Sequence, residues 1–460
     1  MKPIIIPPSR AAGLLAALFV LSACSDQEIP NYNNPVIPVV VPSPAALQSQ
    51  VSGIAAGDRE NHAFQILIME TMGRDAYRID AADPRYINNP LGQFNPSAFV
   101  TNFLWTSHYR TVRSANELVA GLAGSGFTAT EVAGARGYAR TMKALQYLRL
   151  IEMRDTIGVP IALGQGALDP LRCKPAVLAY ISALLDSAAT ALAAAGAAFA
   201  FVLPGGFRSN GTFDTPAGFL RFNRGLKAKN EVYRGFAAYA KSGTIDAAAL
   251  NAALAALDAS FASVGGNFRD GVYHVYSTAS GDLLNQNFDA SVHRANPKVV
   301  SEAEPGDLRL AKVRKDPAAN ISTEGVSSDY LFTIFSGPTA PIPLLINEEL
   351  LLLRAEALWG LNRDAEALAL ANAVRTRSGG FATPKVLANY PTRLDLLREI
   401  LRQKRYSLLY ESPSRAVDYR MFGLWTELGA ERTATNFGPM VVPIPEAEAN
   451  ARNNALTCTP

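Results

Sequence analysis

The sequence predicts a mainly α-helical protein, a tetratricopeptide-like scaffold of helical hairpins with two loop-rich, partly β insertions. Two observations support this prediction: helical patterns recur in pairs along the chain, and the stretches 73–96 and 262–343 are rich in glycine, proline and aromatic residues. A third observation separates a leader from the body, because residues 1–23 have the make-up of a secretory signal peptide.

The predicted helices come with stop and start signals at their ends. Lys241-Ser242-Gly243 and Gly379-Gly380 are expected stops, since glycine accepts the left-handed conformation that ends helices. Thr392 and Asp395 form a capping-box pattern that starts the last predicted helix. Helix, short turn, helix is typical of tetratricopeptide-type repeats, although the pairs share no fixed period. Helices are predicted near 47–72, 97–122, 128–154, 174–197, 217–242, 246–262, 344–361, 363–377 and 392–411.

The two insertions interrupt this pattern. The first, 73–96, contains tyrosines and a phenylalanine among asparagines and prolines, and the second, 262–343, has seven aromatic residues between frequent glycines and prolines. Short strands and long loops suit such a composition better than helix. Loops on a rigid scaffold are also where binding residues concentrate.

The N-terminus predicts export and lipid attachment. Lys2 and Arg10 precede an apolar run, 11–21, which is followed by Leu21-Ser22-Ala23 and then Cys24. Small residues before a cysteine resemble the lipobox of bacterial lipoproteins, in which that thiol receives a diacylglycerol. The alternative is an ordinary signal peptide that happens to end beside a cysteine. The prediction is a signal peptide at 1–23, a lipid anchor and proline-rich linker at 24–45, and a single body at 46–460, with helical pairs at about 97–262 and 344–411.

Bulk properties narrow the classes of function. No segment after the leader is expected to cross a membrane, so the body is predicted to contact the membrane only through its lipid. The chain has 43 basic and 40 acidic residues, which leaves 41 and 40 once the leader is removed with Lys2 and Arg10. Such a balance gives no reason to expect nucleic acid as a partner. Cys173 and Cys458 are left to pair in an oxidising compartment or to stay free, and their spacing does not decide which.

No catalytic motif is recognisable in the sequence. Nucleophile elbows, zinc-binding His-Glu-x-x-His pairs, phosphate loops and dinucleotide fingerprints are missing, so no metal or cofactor is expected. The four histidines share no motif and are interpreted as core or surface residues. Two carboxylates could still meet in space and hydrolyse a glycosidic bond, which keeps a glycoside hydrolase as an alternative. The charge cluster at 398–420 could be an anion site, but we interpret it as arginine–carboxylate pairs that brace the last helices.

A set of short motifs in fixed order resembles the SusD/RagB family of outer-membrane nutrient-binding lipoproteins. The resemblance covers nearly the whole mature chain. It departs from the family at 411–415, where Glu-Ser-Pro-Ser-Arg is one residue longer than the usual Glu-Gly-x-Arg. The motifs are Trp105, Tyr109 and Ala115-Asn116; 131–160 with Gly158-Val159-Pro160; 223–228; Asp307-Leu308-Arg309; 353–377; 400–423; and Val442-Pro443-Ile444-Pro445-Glu446.

The resemblance implies a binding protein and not an enzyme. It implies four tetratricopeptide-like helical pairs, lipid anchorage in the outer membrane on the side that faces the cell exterior, and a SusC-like TonB-dependent transporter as partner. The ligand would be an oligosaccharide or, as the alternative, a peptide or other small nutrient. Ser25 beside the lipidated cysteine does not resemble an inner-membrane retention signal, which favours the outer membrane.

The family does not fix its ligand residues, so the candidates come from physical chemistry. Sugars present apolar faces that stack on aromatic rings and hydroxyls that need amides and charged groups. The alternative for each aromatic residue is packing beneath a loop, and the three tryptophans are expected in the core. The candidates are Tyr77, Arg78, Asp80, Tyr86 and Asn88 in the first insertion and Arg269, Tyr273, Tyr276 and Asn287 in the second.

Overall fold

The structure is a computed structural model, and it describes residues 41, 43–162, 168–317, 320–431 and 438–460. The predicted signal peptide and Cys24 lie outside the described residues, as does most of the predicted linker. The described residues cover most of the predicted body, 46–460.

Fourteen α-helices lie along the described residues. The nine predicted helices are all present, with bounds that differ by a few residues. The helices are α1 (Pro44–Met72), α2 (Arg85–Leu91), α3 (Phe99–Gly121), α4 (Ala129–Arg154), α5 (Lys174–Ala193), α6 (Pro216–Gly235), α7 (Tyr239–Ser242), α8 (Ala247–Asp258), α9 (Pro297–Ser301), α10 (Asn347–Gly360), α11 (Asp364–Arg377), α12 (Arg393–Ser407), α13 (Ser414–Met421) and α14 (Glu446–Ala451).

The helix ends confirm several local predictions. Thr392 and Asp395 form the predicted capping box of α12. Gly243 ends α7 in the left-handed conformation at φ 68°, and Gly380 follows α11 at φ 77°. One prediction is wrong in detail: the helix expected at 217–242 breaks after Gly235 into α6 and α7. Leu250 of α8 packs where a side chain at Gly235 would stand, and glycine is a weak helix former.

Neighbouring helices in the sequence pack against each other, as expected of a hairpin scaffold. α1 packs on α3, α3 on α4, α4 on α5, α5 on α6 and α6 on α8; α10 then contacts α6, α8, α11 and α12. One continuous apolar core runs through these helices, and it buries Trp105, Trp359 and Trp425 as predicted. Burial of this surface is the main stabilising contribution to the fold.

Helix α5 corrects the expectation that no segment after the leader is long and apolar enough to cross a membrane. Within the described residues it alone is long and apolar enough to cross a membrane. It packs between α4 and α6, however, with Ile181, Leu185 and Leu192 in the core. Its apolar composition is therefore explained by its place inside the helical scaffold.

The two insertions contain the strands, as predicted. Four antiparallel two-stranded ladders form: β1 with β3, β2 with β8, β4 with β7 and β5 with β6. A second apolar cluster lies beneath them, where Ile66 and Leu67 of α1 meet Tyr276, Phe335 and Tyr410. The strands are β1 (Ala76–Arg78), β2 (Gly271–His274), β3 (His293–Ala295), β4 (Val313–Lys315), β5 (Ile321–Thr323), β6 (Val326–Ser328), β7 (Tyr330–Phe332) and β8 (Ile342–Ile346).

Cys173 and Cys458 form a disulfide, which answers the question that their spacing left open. Their Cα atoms are 4.9 Å apart, and 285 positions separate them in the sequence. The backbone amide of Cys173 also donates to the carbonyl of Thr459 at 2.8 Å, and that of Thr459 donates to Leu171 at 2.7 Å. The C-terminal tail is thus fastened to the loop that precedes α5.

Candidate ligand-binding surface

The first and second insertions meet through one short ladder. Strand β1 of the first insertion pairs with β3 of the second, and the register places Arg78 opposite His293 and Tyr77 opposite Arg294. The amide of Ile79 extends the contact by donating to the carbonyl of Val292 at 2.8 Å. Residues more than 200 positions apart in the sequence therefore form one surface.

Arg78 is the centre of the partly exposed polar groups on this surface. Its Nη2 donates to Asp80 Oδ2 at 2.9 Å, and its guanidinium carbon is 4.1 Å from the ring centroid of Tyr86. The side chain of Arg78 is 28% exposed and that of Asp80 16% exposed. The hydrogen bond from Arg78 lowers the pKa of Asp80, so this carboxylate stays charged at neutral pH. Asn88, on α2 with Tyr86, is half-buried.

Phe288 and Asp289 add an apolar face and a carboxylate from the second insertion. Phe288 is 40% exposed, and it is the one exposed aromatic side chain among the described residues. Burial raises the pKa of Asp289, but hydrogen bonds from Ser291 and the charge of Arg78 outweigh it and lower the pKa overall. An exposed ring beside charged groups is the pairing that sugar recognition needs. The sequence-based candidates did not include either residue, although their polar neighbours, Asn285 to Asn287, marked the position.

Three further candidates have partners within the protein, and the two tyrosines among them are buried while the side chain of Arg269 is 42% exposed. Tyr77 is 2% exposed, and its hydroxyl accepts a hydrogen bond from the Asn296 amide at 2.5 Å. Tyr273 is 4% exposed and donates from its hydroxyl to the Arg269 carbonyl at 2.6 Å. Arg269 itself donates from Nη1 to Glu411 Oε2 at 3.0 Å, which ties the second insertion to the scaffold. In the structure these three side chains therefore pack against the protein or join the second insertion to the scaffold.

Several buried polar atoms beneath the surface lack a partner. Both amide atoms of Asn287, the hydroxyl of Tyr276 and Nε2 of His293 accept or donate no hydrogen bond within the described residues. Buried polar groups are nearly always satisfied, so such atoms mark places for a water molecule or a ligand hydroxyl. Tyr276 and Asn287 of the second insertion are therefore buried candidates with unsatisfied polar atoms.

The four histidines do not form an accessible catalytic centre. His62, His108, His274 and His293 are all buried, and burial lowers the pKa of each, to about 3 for His108 and about 4 for His293. The structure does bring His274 and His108 into one network, which no motif in the sequence indicates: His274 contacts Asp58 at 2.9 Å, and His108 contacts Gln146 at 2.8 Å. No group of three potential metal ligands occurs in the described part of the chain.

The C-terminal charge cluster forms the predicted bracing pairs. Lys404 contacts Glu356 at 2.7 Å and Asp418 at 2.9 Å, and Arg405 contacts Asp75 at 2.8 Å. Two pairs of nearby glutamates, Glu348-Glu349 and Glu302 with Glu304, are the carboxylates closest in the sequence to what glycoside hydrolysis would need. They are engaged in the same manner, since Glu349 contacts Lys229 and Glu304 contacts Arg375. The arrangement is one of fixed charges that support the fold.

The fold is a mainly helical scaffold with short strands in two insertions. No family model matches the sequence, and no curated protein matches it. Solved structures, by contrast, do match this chain. A SusD superfamily protein from Bacteroides thetaiotaomicron superposes with a TM-score of 0.66 at 15% identity, over 90% of this chain and 98% of that one.

Two further structures agree with this match. A SusD-like carbohydrate binding protein from Bacteroides vulgatus gives a TM-score of 0.61 at 16% identity, over 90% of this chain and 97% of that one. NanU from Bacteroides fragilis gives 0.63 at 15% identity, over 89% and 95%. The chain therefore has the SusD-like fold, which confirms the fold that the sequence resemblance implied.

Proposed function

We propose that this chain is a SusD-like nutrient-binding lipoprotein that binds an oligosaccharide on the surface where the two insertions meet. The observation that carries the proposal is the match to SusD-like structures over about nine-tenths of the chain, one of which is described as a carbohydrate binding protein. The exposed ring of Phe288 and the charged pair Arg78–Asp80 supply the chemistry that the proposal needs.

The ligand residues we propose are partly exposed groups of the two insertions, without Arg269, which is 42% exposed but paired with Glu411. They are Arg78, Asp80, Tyr86 and Asn88 from the first insertion, with Phe288 and Asp289 from the second. Tyr276 and Asn287 would contribute only if the loop above them moved, because both are buried. The ring of Phe288 would stack on a sugar face, and the guanidinium and carboxylate groups would contact hydroxyls.

Calorimetry tests the binding proposal. The body from residue 43 onward, titrated with a panel of neutral and acidic oligosaccharides and a panel of peptides, should bind at least one glycan. Phe288→Ala should weaken that binding by about tenfold, equivalent to about 1.4 kcal/mol. Leu387→Ala, which truncates an equally exposed apolar side chain elsewhere, is the control and should have no effect. Binding of peptides in the absence of any glycan would favour the peptide alternative.

We further propose that the protein is attached to the outer membrane through Cys24 and serves a SusC-like TonB-dependent transporter. The lipobox-like residues before Cys24 support attachment, and the resemblance to the SusD/RagB family supports the partner. Affinity purification from native membranes should recover a large β-barrel protein with the wild-type chain. Cys24→Ser should appear in the soluble fraction after cell lysis; recovery of this variant in membranes would contradict lipid attachment.

Binding without catalysis is part of the same proposal. The histidines are buried and the considered carboxylates are held in ion pairs. Purified protein incubated with the glycans that it binds should release no reducing sugar. Release that disappears in a carboxylate variant would establish the glycoside hydrolase alternative instead.

A further inference from the structure

A second concave surface lies on the helical scaffold, away from the strands of the insertions. It is an open cleft of about 670 Å³ between α3, α4, α5 and the loop that precedes α5. Its lining residues include Asn116, Lys143, Asp169, Arg172 and Tyr180. None of them belongs to the surface where the insertions meet.

Three basic side chains without acidic partners lie along α4, and the last of them, Lys143, lines the cleft. Arg136, Arg140 and Lys143 are spaced at i, i+4 and i+7, which places them on one face of the helix over about 10 Å. In the described residues none of the three lies within 4 Å of a carboxylate, whereas most arginines of this chain do have such a partner, for example Arg149 with Asp58. Arg140 instead donates to the hydroxyl of Ser187 at 2.7 Å.

The carboxylate inside the cleft does not neutralise these cations. Asp169 Oδ2 accepts hydrogen bonds from the backbone amides of Ile161 at 2.9 Å and Ala162 at 2.8 Å. Its other oxygen is 4.0 Å from Arg172, the edge of ion-pair distance, and the Arg172 side chain is 35% exposed. Arg172 and Lys143 therefore present positive charge to the cleft.

An aromatic wall backs the cations. The Lys143 ammonium is 5.6 Å from the ring centroid of Tyr180 and 5.9 Å from that of Tyr147, and the two rings pack edge to face at 5.5 Å. The hydroxyl of Tyr147 donates to the carbonyl of Ile161 at 2.9 Å, which fixes the loop on the opposite side. Tyr180 is half-buried, and Asn116 on α3 adds an amide that solvent reaches.

Covalent and backbone contacts hold the cleft open before any ligand arrives. Val159 and Arg172 exchange backbone hydrogen bonds at 3.1 and 2.9 Å, and Cys173 is joined to Cys458 directly beside Arg172. A site that is preorganised in this way loses little conformational entropy on binding.

We infer that this cleft is a second binding site, selective for an oligosaccharide that carries carboxylates, with Lys143 and Arg172 contacting the acidic groups and Tyr180 and Asn116 the sugar. Lys143, which has no carboxylate within 4 Å in the described residues, and Arg172, whose pair with Asp169 is at 4.0 Å, account for the charge selectivity, since charge-assisted hydrogen bonds are the strong ones. The row of Arg140 and Arg136 accommodates further acidic units along α4. This site is independent of the function proposed for the insertion surface.

Oligogalacturonates of three or four units are the probe, and their fully methyl-esterified forms are the uncharged control. The acidic form should bind with an affinity that falls as salt rises, and the esterified form should not bind. The double variant Lys143→Gln/Arg172→Gln should lose at least tenfold in affinity. The double variant Lys241→Gln/Arg314→Gln, which removes the same charge from exposed positions elsewhere, should bind as the wild type does.

Further variants separate the cleft from misfolding and from the first surface. Lys143→Arg should retain binding while Lys143→Gln does not, and thermal unfolding should show both variants folded. Phe288→Ala should weaken the binding of a neutral glycan by the first surface, whereas the cleft double variant should leave that binding unchanged. Equal affinity for the esterified form, or unchanged affinity in the cleft double variant, would overturn the inference. Loss of a copurifying membrane protein in that variant, without oligogalacturonate binding by the wild type, would overturn it in favour of an acidic protein surface.

Discussion

Asp58 on α1 is a buried carboxylate with three side chains aimed at it. Arg149 contacts it at 2.8 Å, His274 at 2.9 Å and the Gln146 amide at 2.5 Å, and it has no exposed surface. Burial raises the pKa of Asp58, but Arg149 and His274 outweigh that effect and lower it well below its usual range. Asp58 therefore stabilises the fold at neutral pH, and this contribution is lost as acid protonates the carboxylate.

Replacement of Asp58 is expected to be severe because it leaves Arg149 buried without its charge partner. Asp58→Asn should lower the free energy of unfolding by about 3–5 kcal/mol, measured by urea denaturation at pH 7. Asp282→Asn breaks the half-exposed pair with Arg59 and should cost less than about 1 kcal/mol. Equal effects of the two substitutions would show that burial does not govern these pairs.

The contribution of Glu356 to the stability of the fold should change with pH in the opposite direction. Burial raises its pKa to about 7, against the attraction of Lys404 and with the help of nearby Asp418. An acid whose pKa is raised by folding stabilises the folded state below its ordinary value of 4.5, and that contribution is lost as the pH rises through 7. Glu356→Gln, which keeps an acceptor for Lys404, should unfold with a midpoint less sensitive to pH between 5 and 8. The difference from wild type should be on the order of 1–3 kcal/mol at pH 8 and small at pH 5.

At the scale of elements, the start of α6 fits tightly against the loop before it. Thr215 caps the helix by accepting a hydrogen bond from the Gly218 amide at 3.1 Å, and a Cβ at Gly218 would lie 1.8 Å from the Thr212 carbonyl oxygen. Gly53 on α1, by contrast, has open space around it. The same substitution should thus have opposite effects in two helices.

Gly218→Ala should destabilise the protein by about 1–3 kcal/mol, since backbone must move to admit the methyl group. Gly53→Ala should stabilise it by about 0.5–1 kcal/mol, because alanine is the better helix former. Thermal unfolding of the two variants beside the wild type measures both signs. If Gly218→Ala stabilised the protein, the backbone at Thr212 would have to move away at little energetic cost.

How far the sequence predicts these elements depends on the range of the interactions. Helix α12 was predictable with its cap, because Thr392 and Asp395 are three residues apart. The break after Gly235 was not, because it depends on Leu250 in the next hairpin. The same limit applies to the candidate surface. Arg78 could be chosen as a candidate from its insertion, but its position opposite His293 comes from a ladder between residues about 215 positions apart.

Burial was the property least visible in the sequence. Tyr77 and Tyr86 have similar polar surroundings in the sequence, yet the strand places Tyr77 inward and α2 leaves Tyr86 partly exposed under Arg78. Phe288 is one of seven aromatic residues in the second insertion. The other six are buried or half-buried against the protein, and only Phe288 is exposed. In so short a strand, the alternation of side chains covers too few positions to predict which face is buried.

At the scale of the whole molecule, the disulfide joins the start of α5 to the C-terminal tail. It closes a loop of well over half of the chain, so its removal should destabilise the folded state by about 2–4 kcal/mol. Thermal unfolding with and without a thiol reductant measures this, and the Cys173→Ser/Cys458→Ser variant should be less stable and indifferent to reductant. If complete reduction leaves the unfolding midpoint of the wild type unchanged, the C-terminal tail can detach without destabilising the rest of the protein.

The same bond decides how the protein responds to mechanical force. If tension is applied between the first helix and the C-terminal tail, the covalent path leaves the chain at Cys173 and re-enters it at Cys458. The 285 residue steps in between carry no load, and contour length on the order of 1,000 Å stays hidden from the pulling force. Only α1 to the start of α5 can be drawn out, so pulling on the N-terminal end of α1 would extend α1 to α4 and leave the later helices as a closed ring.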